Sequence, residues 1–201
     1  MLDGPLRRLI DPPLDLAGRA LAGRGIGADA VTLTGLALSL AAAVLIALGA
    51  PGWVALAPLL AGRLADGLDG AVARARDKSD FGGILDIACD FALYGAIPLA
   101  FALREPSNAL PAAFLLFSFY INAASFLGFA IMAEKRGLKT EVQGQKSLYY
   151  IAGLMEGAET IGFFVLFCLW PAGFSTLAGI FGALCLVTAC ARILVARKLL
   201  R

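Results

Sequence analysis

An all-α integral membrane protein with six transmembrane helices is the fold class this sequence predicts, and three observations carry it. Of 201 residues, 60% are hydrophobic and only 16% charged. Mean hydropathy is +0.82. The apolar residues gather in six stretches, each near the roughly 20 residues that a bilayer crossing needs. A water-soluble domain of this length could not hide so much apolar surface. The stretches fill well over half of the chain and leave no room for a second, soluble domain. Residues 1–27 therefore read as an N-terminal arm and residues 28–201 as the membrane domain.

Each element can be justified in order. The opening residues are not expected to form a signal peptide, because Asp3, Arg7, Arg8, Asp11 and the Pro12-Pro13 pair interrupt any apolar core. After the prolines, Leu14, Ala17 and Leu21 recur at helical spacing while Asp15, Arg19 and Arg24 point elsewhere. That pattern fits a short helix lying in the membrane surface, with a solvated arm as the alternative. Spans are expected at 30–49, 53–75, 81–103, 109–133, 148–170 and 174–196. Gly49-Ala50-Pro51-Gly52 and Pro171-Ala172-Gly173 are compact breakers, and Arg104 to Asn108 is a polar corner.

Basic residues set the orientation. Fifteen fall on one side: Arg7, Arg8, Arg19, Arg24, Arg74, Arg76, Lys78, Lys135, Arg136, Lys139, Lys146, Arg192, Arg197, Lys198 and Arg201; the other side receives only Arg104. Both termini are therefore expected in the cytoplasm, as an even number of spans requires. A net charge of +2 gives no case for a nucleic-acid partner. With no histidine, a Ser-His-Asp triad, a His-ligated zinc and a His-ligated haem are excluded. Cys89, Cys168, Cys185 and Cys190 lie in apolar runs without a CxxC pair and read as small buried hydrophobes.

Chemistry should lie where charge lies inside a span. Asp66, Asp69, Asp86 and Asp90 fall in the second and third spans. Each carboxylate at mid-membrane costs about 2.5–3.5 kcal/mol, so four cost on the order of 10 kcal/mol unless neutralised. Asp66 and Asp69 are i and i+3, with Gly70 and Ala73 continuing the face; Gly82, Asp86 and Asp90 follow at i+4. Two neighbouring helices thus each present two acids flanked by residues with almost no side chain. Asp66 lies 13 residues beyond Trp53, about 20 Å into a roughly 30 Å core, in its cytoplasmic third. Oxygen donors without nearby Cys or His favour a hard divalent ion, Mg²⁺ or Mn²⁺. Two other readings stay open. The acids could be paired structurally, Asp66 with Arg63 for example, or they could line a divalent-cation or proton-coupled transport path.

The segment from Asp66 to Asp90, DGLDGAVARARDKSDFGGILDIACD, resembles the signature of the CDP-alcohol phosphatidyltransferase family, D-x2-D-G-x2-A-R followed by G-x3-D-x3-D. Asp66, Asp69, Gly70, Ala73, Arg74, Gly82, Asp86 and Asp90 match all eight fixed positions. Seven residues separate Arg74 from Gly82 where the family usually has eight. Choosing Gly83 instead would put Ile87 and Phe91 in the acid positions. A second departure is Asp29, which precedes Val31-Thr32 where the family often has Asn.

The resemblance implies transfer of a substituted phosphate from a CDP-linked lipid donor, such as CDP-diacylglycerol, to the hydroxyl of a small alcohol, with release of CMP. It implies metal ligation by Asp66, Asp69, Asp86 and Asp90, with Asp90 also the base that takes the acceptor proton. Gly70 and Ala73 would leave room for cytidine, Arg74 would balance phosphate charge, and Gly82 would allow close approach. It also implies a homodimer. High Ala, Gly and Arg with few Lys suggests a bacterial source and hence an inner (plasma) membrane. Arg74 and the Gly70/Ala73 clearing suit a nucleotide diphosphate and have no use in an ion path, which sets the transporter second.

Weaker signals remain. The 134–147 loop reads as basic anchors on anionic lipid or as a grip on a phosphate. Glu156 and Glu159 either select the acceptor or pair with Arg192. Asn122, Ser125 and Tyr149-Tyr150 read as helix contacts and aromatic belt.

Overall fold

The computed structural model describes residues 3–76, 78–137 and 155–200. Among them there is helix and no strand. Seven α-helices follow in order: α1 (Asp3–Gly23), α2 (Ala28–Ala47), α3 (Gly52–Ala75), α4 (Asp80–Arg104), α5 (Ala109–Lys135), α6 (Gly157–Leu169) and α7 (Phe174–Leu199). Short 3-10 turns at Pro106–Asn108 and Pro171–Gly173 lead into α5 and α7.

Among the described residues, four helical segments are long and apolar enough to cross a bilayer: Ala28–Ala47, Asp80–Arg104, Pro106–Lys135 and Pro171–Leu199. The other two expected spans are helical but differ for separate reasons. Helix α3 has 24 residues, yet Arg63, Asp66, Asp69 and Arg74 lower its apolarity. Helix α6 has 13 residues, about 20 Å of rise. Residues 148–154 of that expected span, with Tyr149-Tyr150 among them, lie outside the described residues.

Local chemistry sets the helix ends. Gly49 takes φ +79°, a left-handed value open to glycine, and closes α2 with its N–H on Ile46 O while Ala50 N–H reaches Leu45 O. Ser79 caps α4 by accepting the Gly82 N–H at 2.9 Å. Glu156 and Glu159 form a reciprocal capping box at the start of α6. The two glutamates flagged in the sequence therefore serve a helix terminus.

The N-terminal helix departs from expectation. It runs from Asp3 straight through Pro12 and Pro13, both of which are exposed. Its inner face is Leu14 and Gly18, not Ala17, which is exposed. A Cβ at Gly18 would lie 2.7 Å from Ala71, so only the smallest residue allows this docking on α3.

Packing is organised by pairs. Helix α2 lies against both α3 and α4, α5 lies against α7, and α1 against α3, whereas the α3 and α4 backbones scarcely approach each other directly. The α2–α3 contact is made close by two glycines. A Cβ at Gly62 would lie 2.8 Å from the Gly35 carbonyl and collide with the Ser39 hydroxyl. Away from these polar turns the core is aromatic. Phe101 stacks on Phe174 at 4.4 Å and Phe163 on Phe181 at 4.3 Å, while Phe119 meets Phe181 edge-on at 5.1 Å.

Large apolar side chains, among them Leu48, Phe117, Ile131 and Val187, stand exposed around the bundle, as a protein with lipid for solvent requires. Cys89, Cys168 and Cys185 are buried as expected. Cys190 is exposed, because it falls on the outer face of α7 with Ala183 and Val187.

Gly62→Val should overpack the α2–α3 contact and destabilise the fold by about 1–3 kcal/mol. A lowered thermal-unfolding midpoint of the detergent-solubilised protein is the expected result.

Candidate metal centre

The gap between α3 and α4, floored by α2, is where the acids meet. Asp66 and Asp69 come from α3 and Asp86 from α4, and one carboxylate oxygen from each lies within 4.8 Å of the other two. Asp69 is buried, Asp66 half-buried and Asp86 exposed, so the group grades from interior to surface. The i, i+3 spacing puts both α3 acids on one helix face. Helix α2 packs on both α3 and α4 while their backbones hardly approach each other, so the two helices meet here through their side chains.

Two neighbours prepare these carboxylates. The Thr32 hydroxyl of α2 donates to Asp69 Oδ2 at 2.5 Å and so fixes the most buried acid. Arg63 donates through Nη2 to Asp66 Oδ2 at 2.7 Å and through Nη1 to Asp90 Oδ1 at 2.6 Å. The convergent group of three does not include Asp90, whose described partner is Arg63. The structural pairing of Asp66 with Arg63 thus exists beside the acidic cluster rather than instead of it.

The remaining signature residues surround this group. Gly70 and Ala73 are half-buried on α3. Arg74 donates to Asp15 Oδ1 of α1 through Nη2 at 2.7 Å and Nε at 3.2 Å. An exposed pair of this kind is worth about 0–1 kcal/mol, so it yields readily to a better anion. Gly82 occupies the first turn of α4, where a Cβ would stand 3.0 Å from Ser79 Oγ and 3.4 Å from Asp29 Oδ1. Asp29 thereby lies at the same mouth.

Three carboxylates offering only oxygen at short mutual distance suit a hard divalent cation, and among the described residues no softer donor joins them. Asp66, Asp69 and Asp86 are the residues that could hold one.

The sequence reading missed three contacts. The Arg63–Asp90 pair and the Asp15–Arg74 pair join residues 27 and 59 positions apart, and no periodicity relates them. Thr32 was visible only as part of the Val31-Thr32 pair. Arg192, considered as a partner for the α6 glutamates, donates to Asn122 Oδ1 at 2.9 Å and Ser125 Oγ at 2.7 Å, tying α7 to α5. Of the 134–147 loop, residues 138–147 lie outside the described residues.

An all-helical membrane protein with convergent acids between two of its helices is the class these features define. Residues 26–194 match the CDP-alcohol phosphatidyltransferase family model, and the chain belongs to that family. Its members transfer substituted phosphate groups and typically use divalent metals. The chain is 46% identical over 196 residues to the "Inner membrane protein YnjF" of Escherichia coli (strain K12), covering 96% of this chain and 94% of that protein.

Thr32→Val keeps the side-chain shape and removes the bond to Asp69. Loss of a hydrogen bond that orients a ligand typically weakens metal binding about 10–100-fold. Titration of the purified protein with Mn²⁺ should show weakening in that range, with the melting temperature lowered by the loss of a buried hydrogen bond worth about 1–3 kcal/mol.

Proposed function

We propose that this protein transfers a phosphatidyl group from a CDP-linked lipid donor such as CDP-diacylglycerol to the hydroxyl of a small alcohol, releasing CMP. The observation that carries the reading is the convergence of Asp66, Asp69 and Asp86 within 4.8 Å, inside the signature segment of a family of substituted-phosphate transferases.

Membrane placement follows the charge distribution. Six spans with both termini in the cytoplasm put the acids near the cytoplasmic surface, with α1 lying in the interface. There a donor's tails stay in lipid while its diphosphate reaches the cluster. The name of the Escherichia coli relative supports a bacterial inner membrane as the location. The working form is a homodimer, as the family resemblance implies.

Roles divide among the chain's own residues. Asp66, Asp69 and Asp86 would hold Mg²⁺ or Mn²⁺, with Asp90 completing the set, and ions bound there would supply charge neutralisation for the diphosphate and the departing CMP. Arg74 exchanges Asp15 for a phosphate oxygen. Gly70 and Ala73 leave space for the cytidine, and Gly82 lets the backbone approach it. The acceptor oxygen bonds to the phosphorus that carries the lipid, the bond from that phosphorus to the CMP oxygen breaks, and Asp90 takes the acceptor's hydroxyl proton. Attack is direct, so no covalent enzyme intermediate forms.

The test is incubation of purified protein in detergent with CDP-diacylglycerol, Mn²⁺ and a panel of small alcohols, following CMP. Release with at least one alcohol is expected. Asp90→Asn should lower turnover at least a thousandfold while preserving the melting temperature. No release with any alcohol, together with Mn²⁺ flux into liposomes, would overturn the transferase reading.

A further inference from the structure

We infer that Arg63, which lies outside the signature, is a positioning residue that couples the two acidic helices and limits how strongly the site holds its metal. In its turnover arm the inference rests on the transferase reading above. Its metal-binding arm does not.

The geometry is specific. Arg63 sits on α3 one turn before Asp66, in a small cleft lined by Thr32, Gly35, Ser39, Gly62, Asp66 and Asp90 among others. One guanidinium nitrogen holds Asp66 Oδ2 on its own helix, and the other holds Asp90 Oδ1 on α4, at 2.7 and 2.6 Å. The α3 and α4 backbones hardly approach each other, so this two-armed ion pair spans the gap in which the chemistry is placed. A planar guanidinium fixes two carboxylates relative to each other, which a lysine ammonium cannot do. Orientation of the Asp90 carboxylate, and hence of its second oxygen towards the acceptor hydroxyl, depends on this clamp.

Charge gives the second consequence. Arg63 places one positive charge in contact with two of the four aspartates. That charge repels a divalent ion bound a few ångströms away, in surroundings where water screens weakly. Removing it should strengthen metal binding while it disorders the base. A residue with only a packing role gives no such opposition of signs.

The experiment compares wild type, Arg63→Gln and Arg63→Lys in detergent. Mn²⁺ affinity is measured without substrate by electron paramagnetic resonance, and CMP release is measured at saturating metal. For Arg63→Gln, Mn²⁺ should bind at least fivefold more tightly, turnover should fall at least tenfold, and KM for the donor should stay within threefold. For Arg63→Lys, Mn²⁺ affinity should stay near wild type because the charge remains, yet turnover should still fall several-fold. The Arg63→Lys variant is the more conservative change and guards against a glutamine variant that fails to fold. Weaker or unchanged Mn²⁺ binding in Arg63→Gln would overturn the inference, as would full turnover in Arg63→Lys. If the wild type releases no CMP, the transferase reading fails, and the Mn²⁺ comparison alone decides the role of Arg63.

Discussion

Four carboxylates inside a helical membrane protein are the constraint on which the rest of the structure depends. Left alone, each is costly in a low-dielectric interior. The structure shares that cost among specific partners. Thr32 binds Asp69, Arg63 bridges Asp66 and Asp90, and Asp86 stands at the exposed edge. Of these three bonds, Arg63–Asp66 alone is local to one stretch of chain. The acids therefore require α2, α3 and α4 to be assembled before they become tolerable, and assembly in turn creates the cation-competent group. Stability of the fold and competence of the site are two consequences of one arrangement.

Helix α2 does the spatial work. It contains no acid that joins the cluster, yet it packs on both acid-bearing helices and keeps their backbones apart. Its close contact with α3 at Gly35 and Gly62 brings Thr32 within reach of Asp69. Substituted at either glycine, α2 would stand off and the hydroxyl would leave its partner. On the opposite flank α1 docks through Gly18 on Ala71 and brings Asp15 to Arg74. Small residues thus act on both sides of α3, once to admit a helix that orders an acid and once to admit a helix that orders an arginine.

What the sequence makes legible follows the range of the interaction. Hydropathy located α2, α4, α5 and α7 within about two or three residues, because an apolar run long enough to span is a local property. The facing stripes Asp66/Asp69 and Asp86/Asp90 were likewise readable, since helical spacing fixes which side chains share a face. Helix α1 was misjudged at its start. A Pro-Pro pair ordinarily marks a boundary, but here the exposed prolines sit inside a continuous helix. The docking face was misassigned for a related reason: Ala17 has the better apolar character, but contact with Ala71 selects the residue with no side chain. Pairings across helices could not be read at all. Arg63 was visible as a neighbour of Asp66 at i−3, whereas its bond to Asp90 depends on how far α2 separates α3 from α4.

That separation also explains why α3 is the least apolar of the long helices after α1. A helix that must present Asp66 and Asp69 inward, carry their counter-charge at Arg63 and end in Arg74 cannot also be apolar all round. It is covered instead by its neighbours, with α2, α1 and α6 all against it, so little of its polar stripe needs to meet hydrocarbon. The helices that bear no clustered acid, α5 and α7, show the complementary solution. Their buried polar groups are few, and the principal charge between them, Arg192, is satisfied by Asn122 and Ser125 in the facing helix. Helices α5 and α7 thus pair the arginine held between them and pack aromatic rings. Charge is concentrated instead on α3 and α4, where Asp66, Asp69 and Asp86 converge in a group that could hold a cation.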